Sequence, residues 1–157
     1  MRQQVPGTIE KAVAALDLPA SYTNSLARYT ATVVDRLQPE CVILYGSLAK
    51  GTYTDLSDMD LVVIASALPD PFMDRLDLLQ RLNQGLGPIE ALGYTPAEFE
   101  EMLQRGHVTA LDAVADGISL FGSDYFRQLK VIFEEMVRGG LHRTNCAWVL
   151  PGVPSAS

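Results

Sequence analysis

Two short apolar runs constrain the fold of this chain more than any other feature. Cys41–Tyr45 and residues 59–65 have the length and the apolar content of buried strands. In the second run, residues 61–64 are all apolar, so both alternating faces of the strand are apolar. A strand of this kind is covered on both sides. The sequence therefore predicts a sheet that is covered on both of its faces.

Apolar periodicity and capping signals predict the other elements. Thr95, Pro96 and Glu98 form a capping box at the start of one helix, and Pro39 stops another. The predicted helices lie within residues 8–16, from about 21 to Pro39, 72–84, 96–105, 108–115 and after Asp124, and further strands are predicted at 89–94 and 118–121. This order predicts an α/β or α+β domain with helices packed on a small mixed β-sheet.

Length and cysteine usage indicate one compact domain. The chain has 157 residues, and we expect a single domain over residues 1–150 followed by a disordered tail at 151–157. Its two cysteines, Cys41 and Cys146, are too few for a disulfide framework and favour a reducing compartment. The sequence has neither the apolar core of a signal peptide nor a membrane-length apolar run. We therefore expect a soluble, cytoplasmic protein.

The overall charge excludes one class of partner. The net charge of -7 argues against an extended nucleic-acid surface, because such surfaces need clustered lysine and arginine. An excess of acid commonly serves only solubility. Some of the carboxylates here, however, fall close together in a way that favours a metal ion.

Gly46 and Ser47 follow the first strand directly. Glycine lets the backbone approach a phosphate closely, and we expect Ser47 to begin a short helix. The N–H groups at a helix start, together with the Ser47 hydroxyl, suit triphosphate oxygens. An ordinary turn is the alternative interpretation of this dipeptide. A P-loop is excluded, because Thr52 stands where that motif requires lysine.

Asp58 and Asp60 lie two residues apart at the start of the second strand. Their side chains point to one face, where they can share a hard cation. Without a cation, two like charges beside a covered sheet repel each other and lose solvation. The alternative is turn chemistry, in which Asp58 caps the loop and Asp60 is solvated. The fixed spacing of Gly-Ser and Asp-x-Asp between two buried strands favours a functional site.

The segment LYGSLAKGTYTDLSDMDLVV resembles the signature of the DNA polymerase β nucleotidyltransferase superfamily, and most of all that of the minimal nucleotidyltransferases. The resemblance spans roughly residues 30–121 and implies a polymerase β-like fold. It also implies magnesium-dependent transfer of a nucleoside monophosphate, AMP from ATP, to an acceptor hydroxyl.

The resemblance further implies roles for individual residues. Gly46 and Ser47 would hold the triphosphate, and Asp58 and Asp60 would bind magnesium. A third carboxylate, supplied in the family by a neighbouring strand, would be Glu90, as a ligand of the catalytic metal and a general base. A solvated carboxylate at the rim of the sheet is the alternative for Glu90.

Lys50 stands where many relatives carry arginine. It would contact the phosphates of the nucleotide, and a solvated loop lysine is the alternative interpretation.

The resemblance leaves three functions open. The first is modification of a partner protein, since minimal nucleotidyltransferases often pair with a helical HEPN-domain protein. The second is a nucleotide-binding antitoxin or adaptor that acts by contacting that partner. The third is a small-molecule, aminoglycoside-like transferase, although few residues after position 125 remain for an acceptor-binding region. A homo-oligomer, in which a second subunit completes the pocket, also remains open.

Overall fold

The computed structural model describes residues 7–145 and 147–152. Within them the elements follow in the order α1 (Thr8–Ala14), α2 (Ala20–Leu37), β1 (Cys41–Tyr45), α3 (Ser47–Lys50), β2 (Met59–Ile64), α4 (Phe72–Arg81), β3 (Ile89–Tyr94), α5 (Pro96–Gln104), α6 (Val108–Asp116), β4 (Ile118–Phe121), α7 (Ser123–Arg138), β5 (His142–Arg143) and β6 (Trp148–Val149). No described helix is long and apolar enough to cross a membrane.

The main sheet has four strands in the order β3-β2-β1-β4. β1 runs antiparallel to both β2 and β4, whereas β2 and β3 are parallel and joined through α4. The sheet is therefore mixed, as predicted. The expectation that the strands containing Asp60 and Glu90 are neighbours is confirmed by this pairing.

Helices cover both faces of the sheet. Leu61 and Val63 of β2 belong to a core with α1, α2 and α4, while Val62 and Ile64 belong to a second core with α5, α6 and α7. All four side chains are fully buried. The uninterrupted apolar run in β2 thus reflects burial on both sides, which confirms the predicted layers.

Helix α4 is shorter than the sequence pattern predicts. It ends at Arg81, whereas the periodicity extends to residue 84. The side chain of Asn83 explains the difference, because it donates to the Gly87 carbonyl at 2.8 Å and accepts from the Leu86 amide at 3.0 Å. These side-chain hydrogen bonds compete with the helix and begin the loop that leads into β3.

A buried arginine connects three segments at the end of β3 remote from Glu90. Arg75 is 3% exposed and donates to Glu98 at 2.6 Å, to Asp70 at 2.9 Å and to the carbonyl of Gly93 at 3.3 Å. Glu98 also completes the predicted capping box with Thr95. The hydrogen bond from Arg75 is the main cause that lowers the pKa of Glu98.

The segment after α7 forms an antiparallel hairpin of β5 and β6, where the sequence pattern predicts neither a helix nor a strand. Leu141 is buried, and the Trp148 ring meets the Phe133 ring edge-on at 5.7 Å, so the segment covers the core. Pro151 and Gly152, in the predicted tail, form a turn. Cys146 and residues 153–157 lie outside the described residues.

Candidate active site

The turn after β1 brings the backbone against a carboxylate. Gly46 has φ 75° and ψ -154°, a conformation that residues with a side chain rarely adopt. A β-carbon added to Gly46 would lie 2.5 Å from Oδ2 of Asp60, closer than real contacts allow. Glycine at this position therefore allows the Asp60 carboxylate to pack against the turn.

A single helical turn, α3, begins directly after Gly46. The amide of Lys50 donates to the Gly46 carbonyl at 3.1 Å, and the amide of Thr52 donates to the Ser47 carbonyl at 3.0 Å. Gly51 ends the turn with φ 78°. Ser47 is thus the first residue of the helix, as predicted, and its hydroxyl belongs to a turn of backbone N–H groups of the kind that binds phosphate.

The loop before β2 is held by its own side chains. The Ser57 hydroxyl accepts from the Thr54 amide at 2.8 Å, and the Ser57 amide donates to the Thr54 carbonyl at 3.0 Å. The Tyr22 hydroxyl donates to the same carbonyl at 3.3 Å. These contacts fix the loop immediately before Asp58.

Three acids lie near one another at one edge of the sheet. The register of β2 with β3 pairs Asp60 with Glu90. Burial raises the pKa of Asp60 to about 6, with further contributions from the charges of Glu90 and Asp58. These contributions indicate that both charges lie near Asp60. The structure therefore brings together the three acids that the sequence singled out.

The chemistry of these acids fits a hard cation. Among residues 7–145 and 147–152, no three His, Cys, Asp or Glu side chains are already arranged to hold a metal ion. Asp58 and Glu90 are exposed, however, so their side chains can rotate towards Asp60. Carboxylates are preferred magnesium ligands, and a divalent cation reverses the repulsion that raises the pKa of Asp60.

Tyr45 is a site residue that sequence reasoning missed. It pairs with Asp60 across β1 and β2, and its ring packs at the edge of the second core. Burial raises its pKa to about 12, with smaller contributions from Asp60, Tyr94, Glu90 and Asp112. The phenol therefore stays neutral and can donate a hydrogen bond at the acidic edge. The alternation that places Cys41 and Ile43 on this face could have identified it.

Lys50 lies at the end of α3 and is directed towards α6. Its Nζ is 3.7 Å from Oδ2 of Asp116, and 43% of its side chain is exposed. Lys50 also lines a cavity of about 480 Å³ that Asp112, Arg143 and Trp148 help to enclose. Lys50, which is predicted to contact phosphates, thus lies one helical turn from Ser47 and forms a long ion pair with Asp116.

The sequence profile of the family described as "Polymerase beta, Nucleotidyltransferase" matches residues 29–125, which include the Gly-Ser turn and all three acids. The chain belongs to this family. It is therefore a nucleotidyltransferase, and nucleotidyltransferases of this family usually use divalent metal ions. The matched region ends near the start of α7, so most of α7 and the β5–β6 hairpin lie outside it.

Two solved structures resemble the fold of this nucleotidyltransferase. One is a toxin–antitoxin with AMP-PNP, 21% identical with a TM-score of 0.53, and the match covers 71% of this chain and 86% of that one. The other is a mutant of the toxin–antitoxin MntA-HpeT, 19% identical with a TM-score of 0.51, covering 70% and 84%. No curated protein sequence matches the chain.

Proposed function

We propose that this nucleotidyltransferase transfers AMP from ATP to a hydroxyl group of a partner protein, with magnesium as cofactor. The observation that carries the proposal is the pairing of Asp60 with Glu90 directly beside the Gly46 turn. A phosphate-binding turn and a set of carboxylates then border the same space. Phosphoryl-group chemistry needs these two features side by side, because the transferred group must be held and its charge neutralised.

The residues divide the reaction between them. Gly46 and Ser47 bind the triphosphate through backbone and hydroxyl donors, and Lys50 contributes a positive charge. Asp58, Asp60 and Glu90 would hold the metal ions. Bound magnesium would neutralise phosphate charge and lower the pKa of the acceptor hydroxyl.

Glu90 is the base in this proposal. The acceptor oxygen forms a bond to the α-phosphorus, and the bond from that phosphorus to the oxygen of the β-phosphate breaks, so pyrophosphate leaves. The hydroxyl proton passes to the Glu90 carboxylate, whose exposed position at the edge of the sheet allows access by an acceptor.

Nucleotide binding supplies the first test. We expect ATP to bind with magnesium and to bind at least about tenfold more weakly in chelator, because the acids otherwise repel the triphosphate. Isothermal titration calorimetry with and without EDTA measures both affinities. Equal binding in chelator, or no binding at all, would remove the basis for the site.

A protein acceptor is favoured by the two similar structures, which are toxin–antitoxin proteins, one of them with AMP-PNP. We propose a helical partner of the HEPN type as the acceptor.

The same similarity favours a second candidate, a nucleotide-binding antitoxin that acts by contact alone. Incubation with α-labelled ATP, magnesium and a candidate helical partner protein separates the two. We expect label on the partner protein, and labelling at least about a hundredfold slower after Glu90→Gln. A stable complex without label would favour the contact-only antitoxin, and label on an added aminoglycoside would favour a small-molecule transferase.

A further inference from the structure

Two acids of α6 disfavour the helix when they lack cationic partners, since they repel each other and the second lies at its C-terminus. Asp112 and Asp116 are four residues apart, so they lie on the same side of the helix, and Asp116 is its last residue. A negative charge at a helix C-terminus opposes the helix dipole. The structure therefore needs positive charge at this point.

Arg143 of the β5–β6 hairpin supplies most of that charge. Its guanidinium donates to both carboxylate oxygens of Asp116, at 2.7 and 3.3 Å, in the fork geometry that forms strong pairs. It also lies 3.5 Å from Asp112. The Trp148 ring orients it, since the guanidinium stacks 4.1 Å from the ring centroid and the indole N–H donates to Asp112 at 2.9 Å.

Lys50 is the weaker partner of the same carboxylate. It approaches Oδ2 of Asp116 at 3.7 Å, whereas Arg143 reaches that atom at 2.7 Å. Among the described residues, these are the two cations paired with Asp116. If Lys50 turns towards a triphosphate at Ser47, Asp116 keeps its forked partner. Without Arg143, the same movement would leave an acid at a helix C-terminus unpaired, and Lys50 would be held at Asp116.

We propose that Arg143 is a positioning residue that keeps Asp116 paired and so releases Lys50 to bind the triphosphate. This inference rests on the proposed function, in which Lys50 contacts phosphate. It assigns a role to the hairpin, which lies outside the region matched by the family. The effect is specific to Lys50 because Lys50 and Arg143 approach the same atom, Oδ2 of Asp116.

The test compares the dissociation constant of ATP with magnesium among variants by calorimetry. Arg143→Met should weaken binding about fivefold, the scale of one partly exposed ion pair. Adding Asp116→Asn should return the constant to within about twofold of the wild type, because Lys50 then has no competing acid. A hairpin that acted only on stability would not be rescued in this way.

Arg127→Met is the matched control, because it removes the same charge from an exposed pair with Asp124 on α7. It should leave ATP binding unchanged. Should Arg143→Met fail to fold, Arg143→Gln removes the charge while keeping a hydrogen-bond donor, and the same rescue is expected of it.

Lys50→Met separates this inference from the proposed function. Lys50→Met should weaken binding by itself, and in that background Arg143→Met should have no further effect. Normal binding by Arg143→Met beside weak binding by Lys50→Met would overturn the inference and leave the proposed function intact, as would failure of Asp116→Asn to rescue. Absence of ATP binding by the wild type would instead overturn the proposed function.

Discussion

Asp60→Asn should abolish nucleotidyl transfer while making the metal-free protein more stable. Loss of a metal-binding carboxylate removes several kcal/mol of charge stabilisation, and about 1.4 kcal/mol corresponds to a tenfold change in rate, so we expect at least about a thousandfold loss. Stability should rise because burial and the neighbouring charges of Glu90 and Asp58 already disfavour the Asp60 carboxylate, as its pKa of about 6 indicates. Transfer assays and thermal unfolding in chelator measure the two effects.

The pH dependence of stability tests whether the raised pKa of Asp60 is the cause of the gain in stability. The folded pKa of Asp60, about 6, lies above the value of about 3.9 for an unfolded aspartate. Between these values the native state binds more protons than the unfolded state, so the contribution of Asp60 to stability increases as pH falls through 6. From about pH 7.5 to about pH 5, this gain should be present in the wild type and absent in Asp60→Asn.

Asp55→Asn is the matched control, because Asp55 is an exposed acid of the same loop outside the proposed metal ligands. It should change neither transfer nor the pH dependence of stability.

Asp58→Asn should also abolish transfer, with a smaller gain in stability, since Asp58 is more exposed than Asp60. An Asp60→Asn protein that unfolds readily yet retains activity would make Asp60 a structural residue.

Local patterns predicted most of the sheet and its edge. The apolar run of β2 required cover on both faces, and the short crossover through α4 made β3 its neighbour, so Asp60 and Glu90 were expected together. The Gly46 turn was also predicted, although its packing against Asp60 depends on a side chain fourteen residues later. Positions fixed by strand alternation and by turn chemistry are thus visible in the sequence.

Contacts between segments that are far apart in the sequence could not be predicted from local patterns. Arg75 reads as an ordinary helix-surface arginine, and its burial depends on Glu98 and Asp70 meeting at the end of β3. Arg143 likewise gains its partners only when the hairpin packs on α6. The hairpin strands have two residues each, too few for an alternation pattern to predict them. Side-chain pairing across the fold, rather than periodicity, decides these features.

Glu90→Gln should slow transfer by at least about a hundredfold and leave the affinity for ATP with magnesium nearly unchanged. Glutamine keeps the size and the hydrogen-bonding capacity of the side chain but cannot accept the acceptor's proton, and loss of a general base commonly costs about a hundredfold or more. The affinity should persist because Asp58 and Asp60 remain as ligands of the triphosphate metal. Single-turnover transfer and calorimetry on the same variant measure both quantities.

The control for Glu90→Gln is Glu101→Gln, which changes an exposed acid of α5 whose partner is Arg105. It should alter neither quantity, because an exposed helix pair contributes little even to stability.

The pH dependence of stability gives a second measurement on Glu90→Gln, because the charge of Glu90 acts on Asp60. Removing the Glu90 charge removes one cause of the raised pKa of Asp60, so the gain in stability on lowering the pH should shrink in Glu90→Gln. Unchanged transfer would place the third carboxylate elsewhere. Loss of ATP binding would place Glu90 on the triphosphate metal, because a carboxylate that serves only the catalytic metal is not needed to hold the nucleotide.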